Sequence, residues 1–290
     1  MLRIPVPDSF KPYWELMRFH RPIGILLLLW PTWWALWLAA EGFPDIHLLI
    51  IFTLGVIIMR AAGCIINDIA DRDFDKHVAR TQQRPLATGA LTLNQAKQAF
   101  VIALVIAFLL VLFTNTLTIC LAFVAAALAC TYPFMKRYTH LPQVILGAAF
   151  SMSIPMAFAA QTNTLEPVIV LVYVTSLLWT VVYDTFYGMT DREYDKRIGI
   201  KSTAILFEGN ERLITGSLQC LVFIGLWLMG QRFDLGAFYY VSIVIAAGMM
   251  VYHQHLISAH QPDAYFKAFS HNQWLGLCVF VGIFLHYTSS

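Results

Sequence analysis

The sequence predicts an all-α membrane protein with nine transmembrane helices and two aspartate-rich cytoplasmic connections. Three observations support this fold class. Hydrophobic residues make up 59% of the 290 residues and charged residues only 12%, a balance that excludes an ordinary soluble protein. Apolar windows long enough to cross a bilayer recur along the chain. Basic residues collect between alternate windows, as the positive-inside rule requires.

The nine windows each approach the length of about 20 residues that a bilayer core demands. The third and fourth windows meet at Asn115, and Pro31 and Pro155 predict kinks inside the first and fifth. An odd number of spans places the two termini on opposite sides of the membrane. The windows lie at 23–40, 46–66, 96–114, 116–134, 141–160, 166–184, 212–230, 236–256 and 271–288.

The distribution of Lys and Arg orients this set of spans. Of the 19 Lys and Arg residues, only Arg232 falls on the side opposite the N-terminus. The N-terminus and the two long polar connections, at about 67–95 and 185–211, are therefore predicted to be cytoplasmic. The formal net charge is only +2, so nothing in the overall charge indicates a nucleic-acid partner.

The two long connections carry near-copies of one hexapeptide. DRDFDK occupies residues 71–76 and DREYDK residues 191–196. Each copy follows an even-numbered span, the second and the sixth, so the chain resembles a pseudo-repeat that brings two carboxylate clusters to the same membrane face.

Helical geometry predicts that the aspartates of each cluster share a face, if the spans continue as helices into the connections. Within each set, the side chains fall within about 40–60° of one another at 3.6 residues per turn, whereas Asp73 and Glu193 point away. Hard oxygen ligands suit Mg²⁺, which commonly binds through carboxylates and substrate phosphate oxygens. The predicted ligand is a diphosphate bridged by Mg²⁺. The alternative is that the aspartates form a solvated loop face and pair with nearby Arg and Lys. The two sets are Asp68, Asp71 and Asp75, and Asp184, Asp191 and Asp195.

Four segments resemble the signature segments of the UbiA superfamily of intramembrane aromatic prenyltransferases. They are NDIADRDFD at 67–75, RPLATG at 84–89, YPFMKRY at 132–138 and YDTFYGMTDREYD at 183–195. The stretches YPFMKRYTHLPQ and KRIGIKSTAILFEGN are similar to those of 4-hydroxybenzoate polyprenyltransferases within that superfamily. One departure is Tyr194, where the resemblance leads us to expect another acid. The helical geometry places it off the inferred metal face.

The resemblance implies one polytopic prenyltransferase domain over residues 1–290, with the aspartate motifs of the pseudo-repeat at 67–75 and 184–195. Its helices would surround a central cavity open to lipid. The implied substrates are a polyprenyl diphosphate and 4-hydroxybenzoate, the implied cofactor is Mg²⁺, and the implied location is the bacterial inner membrane with the active site facing the cytoplasm. Two alternatives stay open: a prenyltransferase for haem, homogentisate or a naphthoate, and a secondary transporter.

The expected site residues comprise metal ligands, catalytic groups and substrate-binding groups, and two sets of basic residues have alternative roles. Lys136 and Arg137 are expected to contact the diphosphate, or else to serve only as positive-inside anchors. Arg60 is expected to bind the acceptor carboxylate or the diphosphate, or else to form an intrahelical ion pair with an aspartate. The expected metal ligands are Asp68, Asp71, Asp75, Asp191 and Asp195; the expected catalytic groups are Asp71, Asp191, Lys136 and Arg137; the expected substrate-binding groups are Arg60, Asn67, Arg84, Tyr132 and Asp184.

Overall fold

The computed structural model describes residues 6–75 and 81–289, except for the side chains of residues 73–75. Within these ranges all regular secondary structure is helical. The helices, in chain order, are α1 (Lys11–Leu16), α2 (Ile23–Ala40), α3 (Ile46–Asp75), α4 (Pro85–Thr88), α5 (Leu93–Val111), α6 (Thr116–Met135), α7 (Pro142–Ser151), α8 (Ser153–Thr162), α9 (Val168–Met189), α10 (Arg192–Arg197), α11 (Thr203–Leu206), α12 (Glu211–Arg232), α13 (Ala237–Ile257) and α14 (Pro262–Ser289).

The prediction of nine membrane spans is confirmed for the described part of the chain. Nine helical segments there are long and apolar enough to cross a bilayer, with α7 and α8 together forming the fifth. The third and fourth spans abut as predicted, because Asn115 caps α6 by accepting a hydrogen bond from the Thr118 backbone amide at 2.9 Å. The outer faces of α5 and α13 expose large apolar side chains, including Val101 and Val251, as lipid contact allows.

The two prolines behave differently. Pro31 lies inside an uninterrupted α2. The fifth span breaks at Met152, between α7 and α8. Pro155 stands three residues after this break and has no amide hydrogen to donate to the carbonyl of Ser151, so the helical hydrogen-bond ladder is incomplete at this point. The side chains of Ser151 and Ser176 are joined by a hydrogen bond of 3.0 Å beside the break.

A densely packed core occupies one side of the bundle. Trp34 of α2 and Trp179 of α9 stack at 5.4 Å and are almost fully buried, together with Leu226 of α12 and Leu275 of α14. Gly276 permits this packing, because a Cβ there would lie 2.7 Å from both Trp179 and Trp30. Small residues at such contacts let transmembrane helices approach closely.

The two aspartate motifs begin differently. α3 continues without interruption to Asp75, as predicted. α9 instead ends at Met189, and Asp191 caps a separate helix, α10, with non-helical backbone angles of φ −111° and ψ 4°. The expectation of one helix running from Asp184 to Asp195 is therefore wrong.

Candidate active site

A cavity of about 960 Å³ lies beside the core. Residues of α1 to α10 and of α14 line it, together with residues of the connections between them. Its deeper wall is apolar, with Leu27, Phe52 and Phe150 among the lining residues. Its other end carries the charged residues of the two motifs. A site of this kind suits a ligand with an anionic head and a long apolar tail.

Ten of the twelve sequence-predicted site residues line this one cavity. Arg137 does not, and the side chain of Asp75 lies outside the described residues. The ten are Arg60, Asn67, Asp68, Asp71, Arg84, Tyr132, Lys136, Asp184, Asp191 and Asp195.

Asp68 is held by two arginines from different parts of the chain. Arg18 donates through Nη2 to both carboxylate oxygens, at 2.7 and 2.9 Å, and Arg84 Nη1 lies 3.1 Å from Oδ1. Asp68 is only 1% exposed, so these cations offset much of the cost of burying its charge. Arg84 is thereby placed at the cavity, where the sequence predicted it.

Arg18 is a cavity residue that the sequence reasoning treated only as a positive-inside charge. Its backbone adopts a left-handed conformation with φ 59°, which costs about 1–2 kcal/mol for a residue other than glycine. Its side chain also donates to the Glu15 carbonyl at 2.8 Å. The turn after α1 thus directs the guanidinium towards α3, and its partner lies 50 residues away in sequence, beyond the reach of a local pattern.

The neighbouring basic residues Lys136 and Arg137 face different directions. Lys136 lines the cavity and forms an ion pair and hydrogen bond with Asp71. Arg137 is exposed and donates to the backbone carbonyl of Ala70 at 2.9 Å. Its guanidinium also lies 5.9 Å from the Phe134 ring centroid. Arg137 therefore ties α6 to the end of α3, and its placement does not support the expected contact with a substrate in the cavity.

Arg60 lies deeper in the cavity. Its guanidinium lies 6.0 Å from the Phe150 ring centroid, and Tyr132 and Tyr183 line the same cavity. Among the described carboxylates none lies within 4.0 Å of it, which argues against the intrahelical ion pair that the sequence left open. Asp184 and Gln143 line the same cavity as Arg60.

The cavity face of α10 carries Asp191, Tyr194, Asp195 and Ile198, spaced as one helical face. Tyr194 was expected off the face of the aspartates, and that expectation is wrong, because residues three and four apart lie on the same face of a helix. The Tyr194 hydroxyl is buried, and no hydrogen-bond partner for it is found among the described residues. Glu193 points outward as expected, with a side chain 73% exposed and an oxygen 3.3 Å from Lys196 Nζ.

The charged end of the cavity also includes His20. Burial lowers the pKa of this imidazole, and the nearby charges of Arg21 and Arg18 lower it further. His20 is therefore held neutral at pH 7 beside several permanent cations.

The donor atoms are of the kind that Mg²⁺ prefers, since oxygen-bearing side chains from both motifs line one cavity. They are Asn67, Asp68, Asp71, Asp184, Asp191 and Asp195. They are not gathered into a metal site: among the described residues no three His, Cys, Asp or Glu side chains are grouped to hold an ion. Asp68 and Asp71 are instead paired with Arg18, Arg84 and Lys136. The donor set thus fits a divalent cation that arrives with an anionic ligand.

Comparison with known proteins gives both a family and a fold. A model of the UbiA prenyltransferase family matches residues 28–284. A relative from Saccharophagus degradans (strain 2-40), named 4-hydroxybenzoate octaprenyltransferase, is 57% identical, over 96% of this chain and 93% of its own.

Two solved structures share the fold. The apo structure of a UbiA homologue from Aeropyrum pernix K1 has a TM-score of 0.80 at 22% identity, covering 90% of this chain and 97% of that one. A UbiA homologue from Archaeoglobus fulgidus, bound to GPP and Mg²⁺, has a TM-score of 0.67 at 15% identity, covering 94% and 99%. At these identities the likeness concerns the helical architecture.

Proposed function

The chain belongs to the UbiA prenyltransferase family, and we propose that it transfers a polyprenyl group from a polyprenyl diphosphate to 4-hydroxybenzoate. The new bond forms at the ring carbon ortho to the hydroxyl, and diphosphate is released. The observation that carries this proposal is the single cavity that combines carboxylates and cations at one end with an apolar wall. The full-length similarity to a 4-hydroxybenzoate octaprenyltransferase supports the choice of acceptor. Family membership disfavours the secondary-transporter alternative.

The donor diphosphate is proposed to lie between the two aspartate motifs. Asp68, Asp71, Asp191 and Asp195 would hold Mg²⁺ together with the diphosphate oxygens, and Asp75 is proposed to contribute in the same way. When bound, the metal ion would neutralise charge on the departing diphosphate. Lys136 and Arg84 supply donor groups of fixed charge to the same anion, and such charge-assisted hydrogen bonds are worth about 1.5–3 kcal/mol each.

The reaction itself separates charge. The allylic C–O bond of the donor breaks, its electron pair leaves with the diphosphate, and an allylic cation remains. The electron-rich ring carbon then attacks the cation, and loss of the ring proton restores aromaticity. Apolar residues such as Leu27 and Phe150 exclude water that would otherwise capture the cation.

The aromatic acid is proposed to bind deeper than the diphosphate, near Arg60. This guanidinium has no carboxylate partner within 4.0 Å among the described residues, so the acceptor carboxylate can supply one. Tyr132 and Asp184 line the same region and are proposed to orient the acceptor through hydrogen bonds. Asn67 is proposed to contact the diphosphate from α3.

The proposed orientation places the charged end of the cavity on the cytoplasmic side of a bacterial inner membrane. The placement of basic residues supports this orientation. A water-soluble aromatic acid would then enter from the cytoplasm, while the polyprenyl tail remains within the bilayer.

The test is incubation of membranes that contain the chain with labelled 4-hydroxybenzoate, a polyprenyl diphosphate and Mg²⁺. We expect a labelled lipid product that disappears with a chelator and with the Asp71→Asn variant. Homogentisate, a naphthoate and haem are supplied as competing acceptors. Modification of one of these with unmodified 4-hydroxybenzoate would overturn the acceptor assignment, and no product with any acceptor would overturn the activity.

A further inference from the structure

The outward face of α10 is bound by a cluster of charges that the proposed mechanism does not use. Arg192 Nη1 donates to Glu211 Oε1 at 3.1 Å, and Lys196 Nζ donates to Glu208 Oε1 at 2.5 Å. Glu211 is the first residue of α12 and Glu208 lies just before it. The short helix that carries Asp191 and Asp195 is thus attached, on its other side, to a transmembrane helix.

The two carboxylates in this cluster differ in burial. The side chain of Glu211 is 5% exposed, whereas that of Glu208 is 41% exposed. Arg192 is 14% exposed and also approaches Glu208 and Glu193, each at 3.9 Å. Since a buried ion pair depends strongly on its geometry and an exposed one contributes little, the Arg192–Glu211 pair is the strongest of these attachments.

The attachment has geometric consequences for the cavity. Arg192 directly follows Asp191, and α10 has only six residues, so a displacement of Arg192 moves Asp191 and Asp195 together. α9 ends at Met189 and cannot fix the orientation of α10 by a continuous helix. Burial of the guanidinium against Glu211 on one side therefore determines which side chains face the cavity on the other.

We infer that Glu211 is a positioning residue: through Arg192 it holds α10 so that Asp191 and Asp195 face the proposed metal and diphosphate site. This inference rests on the proposed function for the identity of the ligand. Glu211 does not line the cavity, so its effect on the ligand passes through Arg192. Arg192, the arginine of the second hexapeptide copy, is thereby assigned a role in positioning α10.

The test compares Glu211→Gln with Glu208→Gln, which removes a more exposed charge from the same segment. Two quantities are measured on equal amounts of folded full-length protein: turnover as a function of Mg²⁺ concentration, and direct binding of Mn²⁺ by electron paramagnetic resonance in the presence of inorganic diphosphate. For Glu211→Gln we expect the half-saturating Mg²⁺ concentration and the Mn²⁺ dissociation constant to rise about tenfold, equivalent to about 1.4 kcal/mol. For Glu208→Gln we expect a change of less than about twofold.

A charge exchange gives a second test. Arg192→Glu and Glu211→Arg should each weaken Mn²⁺ binding at least as much as Glu211→Gln, and the double variant should recover most of the loss. A purely structural role predicts less folded protein, with an unchanged Mn²⁺ affinity in the molecules that fold, and that result would overturn the inference. Weaker Mn²⁺ binding in the single variants without recovery in the double variant would overturn it as well. If the unaltered chain binds Mn²⁺ and diphosphate but modifies no acceptor, the proposed function fails while the positioning role is still measured by Mn²⁺ binding.

Discussion

Lys136 and Arg137 are adjacent cations with opposite surroundings, and the comparison of Lys136→Met with Arg137→Met separates a cavity residue from a structural one. Methionine keeps a long apolar side chain in both variants and removes only the charge and donors. Lys136 pairs with Asp71 inside the cavity. Arg137 donates to a backbone carbonyl outside it.

The size of each effect follows from these contacts. The side chains of Lys136 and Asp71 are 18% and 14% exposed, between the surface and fully buried limits, so loss of the pair should cost about 1–3 kcal/mol of folding stability. Loss of a charged donor to the departing diphosphate should cost a further 1.5–3 kcal/mol in the transition state, or roughly a 10- to 150-fold lower kcat/KM for the donor. Arg137→Met loses the hydrogen bond to the Ala70 carbonyl, and such a bond is worth about 1 kcal/mol of stability. Because Arg137 does not line the cavity, kcat/KM should change less than about threefold.

The assay is steady-state turnover in membranes, normalised to folded protein by thermal unfolding and by quantitative immunodetection. The decisive quantity is the ratio of kcat/KM between the two variants. If Arg137→Met lost as much turnover per folded molecule as Lys136→Met, the assignment of the two side chains to different sides of the cavity wall would be refuted. If the loss in Lys136→Met matched its loss of folded protein, this lysine would be only an anchor.

Three further predictions concern the carboxylates, the deep pocket and the topology. Asp191→Asn should lower Mg²⁺-dependent turnover by orders of magnitude because it removes a proposed metal ligand. Glu193→Gln removes an exposed charge and should lower turnover less than about tenfold. Equal losses of turnover at matched expression would contradict the ligand assignment. Gly24→Ala should raise the KM for 4-hydroxybenzoate about tenfold with little change in Tm. The added methyl would lie 2.6 Å from Arg60 Nη2 and would displace a flexible guanidinium that is proposed to bind the acceptor carboxylate. An unchanged KM would contradict the proposed contact between Arg60 and the acceptor. Reporter fusions after Thr162 and at the C-terminus should both indicate the non-cytoplasmic side, and a cytoplasmic signal from the C-terminal fusion would contradict the nine-span topology.

The sequence predicted the spans well because each depends on the composition of its own window. The continuation of α3 to Asp75 also followed from local pattern, since no residue after Asn67 breaks the helix. The break after Met189 did not follow. Neither proline nor glycine separates it from Arg192, and the carboxylate that Arg192 contacts, Glu211, lies 19 residues further along the chain.

The candidate site shows the same division between local and distant information. The aspartate motifs led to one cavity because the carboxylates of each repeat can be recognised from its own short segment of sequence. Arg18 could not be found in this way, since its role depends on a left-handed turn and on a partner in α3. The side chains of Lys136 and Arg137 could not be distinguished by charge, because which one faces inward depends on the rotation of α6.

The ion pairs at the end of α3 have a consequence for biosynthesis, because the chain is made from its N-terminus. Arg18 is synthesised before Asp68, so this carboxylate finds a cation as soon as α3 enters the membrane. The partner of Asp71, Lys136, is synthesised only after two further spans. A nascent chain arrested after α5 would therefore contain Asp68 together with Arg18, but Asp71 without the lysine that pairs with it in the folded protein.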